Sequence, residues 1–378
     1  MQPDNRASSE DALPDVAPGR GGLMSTSSST FDFAKVRAAG FPIYSLCRDQ
    51  KRKELLELLQ YDHTSVINGE HVKQTMHAQG LVWHYHPHAW SIQCGNMKTP
   101  SKIFGDDSLL RRALNNRKKM GKCKTESDLR KAVSIYSGTQ RVSNFRASAA
   151  AAIHDRYLPD SGGAVWDMSA GFGGRLLGAL ACGKVTKYIG TDPATLTMDG
   201  LREMRDDLVP MMRLAGYVPP EVELHHIGSE DFHPDPESLS LCFTSPPYGS
   251  HERYSDEPTQ SYLRFPTNEE WLHGYMRMTL DNCWTGLKQN GILAVNIAGV
   301  KSYPALDKDF VALAVSSGWQ FLETLQLSLS NGPGKGKRKS EPACAQSGES
   351  TSVKRVTHKY EPIYVFVKGS RQILSIPN

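Results

Sequence analysis

A strand, a glycine-rich turn and a helix follow one another directly at residues 164–180, and this succession constrains the fold more than any other feature. Residues 164–167 form a short, largely apolar run, residues 168–174 contain three glycines, and residues 175–180 favour a helix. Glycines let the backbone approach a ligand closely, and the N-terminus of a helix offers free N–H groups. The segment therefore predicts the first unit of a nucleotide-binding α/β domain.

Six more apolar runs predict the remaining strands of the same sheet. They lie at residues 188–190, 222–227, 241–244, 291–297, 321–329 and 362–367, with predicted helices at residues 271–287 and 310–315. This order predicts a doubly wound, mostly parallel sheet of seven strands that binds its ligands at the carboxyl ends of the strands. A nicotinamide-binding turn is disfavoured because Leu176 occupies the position of the third glycine, and no Gly-Lys-Ser/Thr follows to make a P-loop.

The chain divides into a tail, a basic module and the α/β domain. Residues 1–30 are rich in serine, glycine and proline and predict a disordered tail. Residues 31–140 predict an α-rich basic N-terminal module. Residues 141–370 predict the α/β domain, which includes a flexible basic loop at residues 331–353.

Basic residues concentrate at residues 98–146, where lysines and arginines outnumber acidic residues by nine, although the whole chain carries only +4. Such an excess suits contact with a phosphate backbone, while a solvated charged face is the alternative. The predicted nucleic-acid contacts are Arg117, Lys118, Lys119, Lys337 and Arg338.

The composition, with 39% hydrophobic and 22% charged residues, is that of a globular protein. The sequence contains no apolar run of membrane-spanning length, no signal-peptide pattern and no Cys-x-x-Cys pair among its seven cysteines, which predicts a cytoplasmic setting. His84, His86, His88 and Cys94 raise the alternative of a metal site. Because no second cluster stands at zinc spacing, packing or substrate contact is favoured and no metal is predicted.

Residues 241–249 predict an apolar strand that ends at a Pro-Pro pair followed by a tyrosine. Two prolines end strand pairing and hold the preceding carbonyls in one orientation. Ser245, Pro246, Pro247 and Tyr248 thus offer a hydroxyl, a fixed carbonyl and an aromatic face, which suits a flat ring that carries an amine. This tetrapeptide resembles the catalytic motif of the methyltransferases that modify amino groups of DNA bases.

The resemblance to class I S-adenosylmethionine-dependent DNA amino-methyltransferases covers about residues 140–368. Besides the Ser-Pro-Pro-Tyr turn, it includes residues 142–145, 169–174 and 361–368, with the donor-binding turn before the catalytic turn. It implies a Rossmann-like methyltransferase fold, S-adenosylmethionine as cofactor, double-stranded DNA as partner and a bacterial or phage-encoded enzyme. A partner restriction enzyme is not visible in the sequence.

The resemblance also implies a donor site at the ends of the first three strands of the domain. Asp192 is expected to hold the ribose hydroxyls, with helix capping as the alternative role for Asp192 and Asp231. The other expected contacts are Asp167, Ser169, Gly171 and Gly173 at the methionine end, Glu230 and Asp231 near the adenine, and Asn144 and Phe145 as a flap.

For catalysis, the resemblance implies that the Ser245 hydroxyl and the Pro246 carbonyl accept hydrogen bonds from the target amine and stabilise the charge that develops on it. The base must be flipped out of the duplex to reach them, and Tyr248 is expected to stack on its face. His251, Glu252 and Tyr254 either close over the base or lie in a solvated loop.

Several substrates remain open at this stage. Serine before the Pro-Pro pair favours cytosine N4 as the target, and adenine N6 is the alternative. A methyltransferase for an amine of RNA, protein or a small molecule would use the same fold and turn. A catalytically inactive DNA-binding module is disfavoured by the intact Gly171, Asp192 and Ser-Pro-Pro-Tyr turn.

Overall fold

The computed structural model describes residues 32–122, 125–136, 138–329 and 359–369. The predicted tail at residues 1–30 and the predicted loop at residues 331–353, with Lys337 and Arg338, lie outside these ranges. No helix within them is long and apolar enough to cross a membrane.

Helices and strands alternate through most of the described chain. The α-helices are α1 (Phe33–Ala39), α2 (Arg48–Leu59), α3 (Gln79–Tyr85), α4 (Pro100–Gly105), α5 (Asp107–Lys119), α6 (Glu126–Ile135), α7 (Ala147–Tyr157), α8 (Gly174–Ala181), α9 (Thr195–Leu214), α10 (Ser261–Arg264), α11 (Asn268–Glu270), α12 (Arg277–Gly286) and α13 (Leu306–Ser316). The strands are β1 (Ile67–Asn68), β2 (His71–Val72), β3 (Gln93–Cys94), β4 (Gly163–Asp167), β5 (Val185–Thr191), β6 (Glu221–His225), β7 (Leu239–Thr244), β8 (Glu252–Arg253), β9 (Leu287–Asn296), β10 (Gln320–Ser328) and β11 (Tyr360–Val367).

The main sheet has the order β1-β2-β10-β11-β9-β7-β4-β5-β6. Strands β4, β5, β6, β7 and β9 are mutually parallel, and β11 runs antiparallel between β9 and β10. All seven predicted strands are present, so the predicted doubly wound, mostly parallel α/β sheet is confirmed. The two-residue strands β1 and β2, which were not predicted from the sequence, extend it at the β10 edge.

The strand order reverses between β4 and β7. From β4 the chain proceeds outward through β5 to β6, and it then returns to place β7 on the other side of β4. In open α/β sheets, ligands bind in the crevice at such a reversal, outside the carboxyl ends of the strands. The fold therefore predicts a ligand site beside the residues that follow Asp167 and Thr244.

The predicted N-terminal module at residues 31–140 packs as two separate parts. Helices α2 and α3 contribute Leu55, Leu58 and Trp83 to the large apolar core that also contains residues of α7, α8 and α9. Helices α1, α4, α5 and α6 form a small core of their own around Ile103 and Leu110. Part of the predicted module is therefore built into the α/β domain.

The His-rich stretch belongs to this packing. Gly200 on α9 lets α3 approach, because a Cβ there would lie 2.4 Å from the Tyr85 carbonyl oxygen. The Nδ1 atom of His86 lies 3.0 Å from the Val82 carbonyl oxygen, and burial lowers the pKa of His86 and His88 to about 4. These histidines are neutral packing residues at physiological pH.

Candidate active site

A cavity of about 370 Å³ opens at the carboxyl ends of the parallel strands, where the strand order reverses. Its volume lies in the range of about 300–1000 Å³ that is common for small-molecule sites. The predicted residues that line it are Asn144, Phe145, Ser169, Gly171, Asp192, Glu230, Ser245, Pro246, Pro247 and Tyr248. The structure thus brings most of the predicted donor and catalytic residues to one cavity.

Asp192 follows β5 and is a buried acid on the cavity wall. Its carboxylate accepts hydrogen bonds from the backbone N–H groups of Gly171 and Ala194, both at 3.0 Å. Burial raises the pKa of Asp192 to about 6, and the two backbone hydrogen bonds oppose the increase. The carboxylate therefore holds the backbone just before α9 and lines the cavity.

Glu230, after β6, has a side chain that is only 1% exposed. Its Oε1 atom is 2.6 Å from Nη1 of Arg264, whereas Oε2 has no hydrogen-bond partner among the described residues. Burial raises the pKa of Glu230. An unpartnered buried oxygen at the cavity wall is suited to accept a hydrogen bond from a ligand.

Asp231, the next residue, does not lie on the cavity wall with Glu230. Its carboxylate is paired with Arg264, at 3.2 Å from Nη2, and it does not line the cavity. The contact of Asp231 with the donor stays a prediction, and in this structure the neighbouring arginine holds the side chain on the exposed side.

Asp167 is also placed differently from the prediction. Its side chain is 1% exposed, accepts hydrogen bonds from Arg175 Nε at 2.9 Å and from Tyr188 Oη at 2.8 Å, and does not line the cavity. The Arg175 guanidinium also donates to the Ser169 carbonyl. Asp167 is thus buried beneath the cavity wall. Through Arg175, it stabilises the turn at residues 168–174 that forms part of this wall.

Gly173 lies outside the cavity for a packing reason. Its φ is +78°, and a Cβ at this position would lie 2.8 Å from the Met204 sulfur on α9. Gly173 therefore serves the turn and the approach of α9, and its contact with the donor stays a prediction. The neighbouring Gly174 allows residues 144–145 to approach α8, since a Cβ there would lie 1.9 Å from the Phe145 carbonyl oxygen.

The Ser245–Tyr248 turn begins where β7 ends at Thr244. Ser245, Pro246, Pro247 and Tyr248 all line the cavity, as does Phe145. The Tyr248 hydroxyl donates a 2.7 Å hydrogen bond to Glu361 Oε1 on β11. The rigid turn is therefore fastened to the antiparallel strand of the sheet.

Glu361 and Asn296 were not predicted from the sequence as residues of the site, although both line the cavity. Asn296 is the last residue of β9, and its side-chain amide donates to the Pro362 carbonyl oxygen at 3.0 Å. Because β11 is antiparallel to β9, its first residues lie beside the carboxyl end of β9. In the sequence, residues 361–362 begin the last predicted strand, and this position could have indicated that they reach the cavity.

The loop after the catalytic turn also reaches the cavity. Glu252 and Tyr254 line it, and the Tyr254 hydroxyl donates to the Glu252 carboxylate. Strand β8, which contains Glu252, pairs with β3 of the N-terminal segment. His251 does not line the cavity, so two of the three residues considered for closing over a base reach it.

Arg117, which the sequence predicts to contact nucleic acid, is buried in this structure. Arg117 follows Leu110 and Leu114 on the inner face of α5, is 5% exposed and is bonded to Asp128 at 3.0 Å. Helical periodicity places position 117 on the same face as positions 110 and 114. Lys118 and Lys119 are exposed on the same helix and stay available for contact.

One group of potential metal ligands lies apart from the cavity. The donor atoms of His63, Asp155 and Cys182 all lie within 4.8 Å of one another. Lys184 Nζ is 3.4 Å from Asp155 Oδ1 and already supplies a cation to that carboxylate. The group was not predicted from the sequence, because its members come from three distant segments.

Part of the chain matches a known family of DNA methylases. Residues 239–376 match the model of the N6/N4-type DNA methylase family, a stretch that contains the Ser245–Tyr248 turn and the start of β11. The match confirms the predicted resemblance to DNA amino-methyltransferases for this part of the chain. S-adenosylmethionine, the predicted cofactor, is the methyl donor of that family. None of the curated proteins compared with the chain matches it.

Several solved structures are similar to this chain, with low sequence identity. A putative RNA methyltransferase from Pyrococcus horikoshii is 13% identical, with 59% of this chain and 83% of that one covered and a TM-score of 0.35. An S-adenosylmethionine-dependent methyltransferase from Methanosarcina mazei is 10% identical, with 57% and 97% covered and a TM-score of 0.36. The chain spans 62% of the [4+2]-cyclase SpnF, at 11% identity, 49% coverage of this chain and a TM-score of 0.34.

The raised pKa of Asp192 leads to a prediction for donor binding. Below a pH of about 6 the carboxyl is protonated and cannot accept hydrogen bonds from two hydroxyls, so affinity for S-adenosylmethionine should fall by up to about tenfold per pH unit. Asp192→Asn should bind weakly and lose this pH dependence. Isothermal titration across the pH range measures both, with Asp235→Asn on an exposed loop as the control. A wild-type affinity that does not change with pH would contradict the assignment.

Proposed function

We propose that this protein transfers a methyl group from S-adenosylmethionine to the exocyclic amine of a flipped DNA base, most favourably cytosine N4. The observation that carries the proposal is the shared cavity: Asp192 and Glu230 line the same cavity as the Ser245–Tyr248 turn. Donor and acceptor must meet in one space for direct transfer, and proximity and orientation supply much of such a rate enhancement.

The donor side of the cavity fits S-adenosylmethionine. Asp192 would accept hydrogen bonds from the ribose hydroxyls, and the unpartnered Glu230 Oε2 would accept one from the adenine amino group. Ser169 and Gly171 would lie along the methionine part, beneath Asn144 and Phe145. When bound, the cofactor supplies a methyl group on a positively charged sulfur.

The acceptor side fits a base amine. The Ser245 hydroxyl and the Pro246 carbonyl are acceptors on a turn whose backbone is restrained by two prolines. They would orient the amine and stabilise the positive charge that grows on its nitrogen, and the Tyr248 ring would support the flat base. A base within a duplex cannot reach this cavity, so flipping is part of the proposal.

The choice of cytosine N4 over adenine N6 rests on Ser245 in the position before Pro246. In the families that the turn resembles, serine at this position favours cytosine. Both amines need the same two acceptors, so adenine N6 is the second candidate. The match to an N6/N4-type methylase family supports the reaction for either base.

The basic helix α5 supports DNA as the acceptor, through Lys118 and Lys119. Neutralising one lysine that binds a phosphate should reduce the slope of log affinity against log salt by about 0.9. We therefore expect the double variant Lys118→Ala, Lys119→Ala to bind duplex DNA more weakly and with a flatter salt dependence. Lys308→Ala, at an exposed position on α13, is the control. If the slope of log affinity against log salt were unchanged, these lysines would be solvent-exposed residues that do not contact DNA.

The class of acceptor is tested by incubating the purified protein with tritiated S-adenosylmethionine and equal masses of mixed-sequence duplex DNA, RNA or protein. We expect label in duplex DNA. Label confined to RNA or protein would overturn DNA as the acceptor but keep methyl transfer. Donor binding without transfer to any acceptor would indicate a catalytically inactive binding module.

A further inference from the structure

Two arginines of the described chain line the cavity, and they differ in how their charge is balanced. Arg175 is paired with the buried carboxylate of Asp167. By contrast, no carboxylate of the described residues lies within 4.0 Å of the guanidinium of Arg146. Because an arginine keeps its proton at physiological pH, Arg146 brings an uncompensated positive charge to the cavity wall.

The acids of the cavity wall are held by other groups. Asp192 accepts hydrogen bonds from backbone N–H groups, and Glu230 is paired with an arginine outside the cavity. Glu252 and Glu361 each accept a hydrogen bond from a tyrosine hydroxyl. Within the described part of the cavity, the charge of Arg146 is therefore left for an anionic group of a ligand.

Two glutamine side chains hold the guanidinium of Arg146 in place. Its Nε atom donates to Gln74 Oε1 at 3.3 Å, and its Nη1 atom donates to Gln79 Oε1. Gln74 itself lines the cavity, so the guanidinium lies at the part of the wall that Gln74 forms. Amide oxygens orient a guanidinium without neutralising it, and they leave other N–H groups of the fork for a contact with an oxyanion.

A second arginine without an acidic partner among the described residues adds to this positive charge. The guanidinium of Arg141 lies 5.3 Å from the ring centre of Trp83 and 5.5 Å from that of Trp90. Burial lowers the pKa of both arginines, and the charge of Arg141 lowers the pKa of Arg146 further. Two like charges in a partly desolvated place destabilise each other, and a bound anion would offset this effect.

The position of Arg146 indicates which part of the reaction supplies the anion. Asp192 and Glu230, the proposed donor contacts, follow β5 and β6 on one side of β7. Strands β9, β11, β10 and β2 lie on the other side of β7, and Gln74 follows β2 by two residues. Because Gln74 holds the guanidinium, Arg146 and the donor contacts lie on opposite sides of the Ser245–Tyr248 turn. The anion is therefore expected on the acceptor.

We propose that Arg146, held by Gln74 and Gln79, binds a backbone phosphate of the nucleotide whose base enters the cavity. The inference rests on the proposed function and adds a contact for the charged part of the substrate. One nucleotide supplies an amine for the Ser245–Tyr248 turn and a phosphate for Arg146. Phosphate contacts fix the position of a nucleic acid on a protein, so this contact would hold the sugar while the base lies in the cavity.

The first test needs only the wild-type protein with saturating S-adenosylhomocysteine, the donor without its methyl group. Titration calorimetry compares deoxycytidine 5′-monophosphate with deoxycytidine, and the corresponding adenine pair is measured in parallel. We expect the nucleotide of the accepted base to bind about 10–100-fold more tightly than its nucleoside, the usual scale of a hydrogen bond to a charged group. Arg146→Gln should bind nucleotide and nucleoside with equal affinity.

The second test measures the binding of a single-stranded oligonucleotide of mixed sequence, which needs no flipping, at several salt concentrations. Arg146→Gln should reduce the slope of log affinity against log salt by about 0.7, the value for one phosphate contact on a single strand. Arg146→Lys keeps the charge and should keep the slope. Arg213→Gln is the matched control, because Arg213 is exposed near the C-terminal end of α9, at the opposite edge of the sheet from the cavity.

The affinity for S-adenosylmethionine separates the two oxyanions that could meet Arg146, a phosphate of the acceptor and the carboxylate of the donor. We expect Arg146→Gln to bind S-adenosylmethionine as the wild type does. A variant that binds the donor weakly but keeps the wild-type salt slope would assign Arg146 to the donor carboxylate and overturn the inference.

Two other results bear on the inference and on the proposed function separately. A wild-type protein that methylates DNA but binds nucleotide and nucleoside equally would overturn the phosphate contact while the proposed function stands. This comparison does not depend on the folding of any variant. A wild-type protein that methylates no DNA would overturn the proposed function and the inference with it.

Discussion

Asp167→Asn is expected to lower the free energy of unfolding by about 3–5 kcal/mol, the scale for breaking a buried ion pair by removal of one partner. Asp167 and Arg175 are 1% and 6% exposed, and the carboxylate also accepts from Tyr188. Asparagine would leave the guanidinium charge without its partner in the core. Urea unfolding followed by circular dichroism measures the loss.

Two further variants show whether the loss comes from the ion pair. Asp199→Asn makes the same chemical change in the exposed pair with Arg202, and its effect should stay within about 0.5 kcal/mol. Arg175→Met combined with Asp167→Asn should recover part of the stability, since the unpaired charge is removed. A stable Asp167→Asn protein that no longer binds S-adenosylmethionine would return Asp167 to the donor contact that the sequence predicts.

Ser245→Ala is expected to reduce the rate of methyl transfer by about 10²–10³-fold, the usual effect of removing one preorganised group that stabilises developing charge. The variant loses the hydroxyl that is proposed to accept a hydrogen bond from the amine. Donor binding should persist, because Asp192 and Glu230 are untouched. Single-turnover rates and donor affinities, measured on the same preparations, separate these effects.

Ser240→Ala is the matched control for this variant. Ser240 lies on the same strand β7 but does not line the cavity. Its rate should equal that of the wild type. A Ser245→Ala protein that transfers methyl groups at the wild-type rate would remove Ser245 from the reaction and leave the turn as a structural element.

The sequence predicts the sheet and the cavity well because both depend on local patterns. Apolar runs predict all seven main strands, and the residues after β4, β5, β6 and β7 meet at one edge because parallel strands share that edge. Ser245–Tyr248, Asp192 and Glu230 are therefore found together on the cavity wall. Strand β2 was not predicted because two residues are too few to show an alternation of apolar and polar side chains.

The surroundings that the sequence does not predict at single residues come from pairings between different segments of the chain. Asp167 stands at a position typical of a donor contact, but Arg175 and Tyr188 turn its carboxylate into the core. Arg117 contributes to a basic run, yet its partner Asp128 lies on the next helix. In both cases the charge of the side chain is known from the sequence, but the residue with which it forms an ion pair is known only from the structure.

Glu361 is the opposite case, a functional candidate that no sequence motif singles out. The sequence places it in the segment that resembles other methylases, with no role attached. It reaches the cavity because β11 runs antiparallel into the sheet beside β9, which is a property of the topology. The Tyr248 bond then connects it to the catalytic turn.

The central claim is that the amine of a DNA base, most favourably cytosine N4, receives the methyl group at the Ser245–Tyr248 turn. Its most direct test is mass analysis of the nucleosides released from mixed-sequence duplex DNA after incubation with S-adenosylmethionine and wild-type or Ser245→Ala protein. We expect N4-methylcytosine from the wild type and a strongly reduced amount from the variant. N6-methyladenine in its place would contradict the choice of base, and a digest without any methylated nucleoside would contradict the account itself.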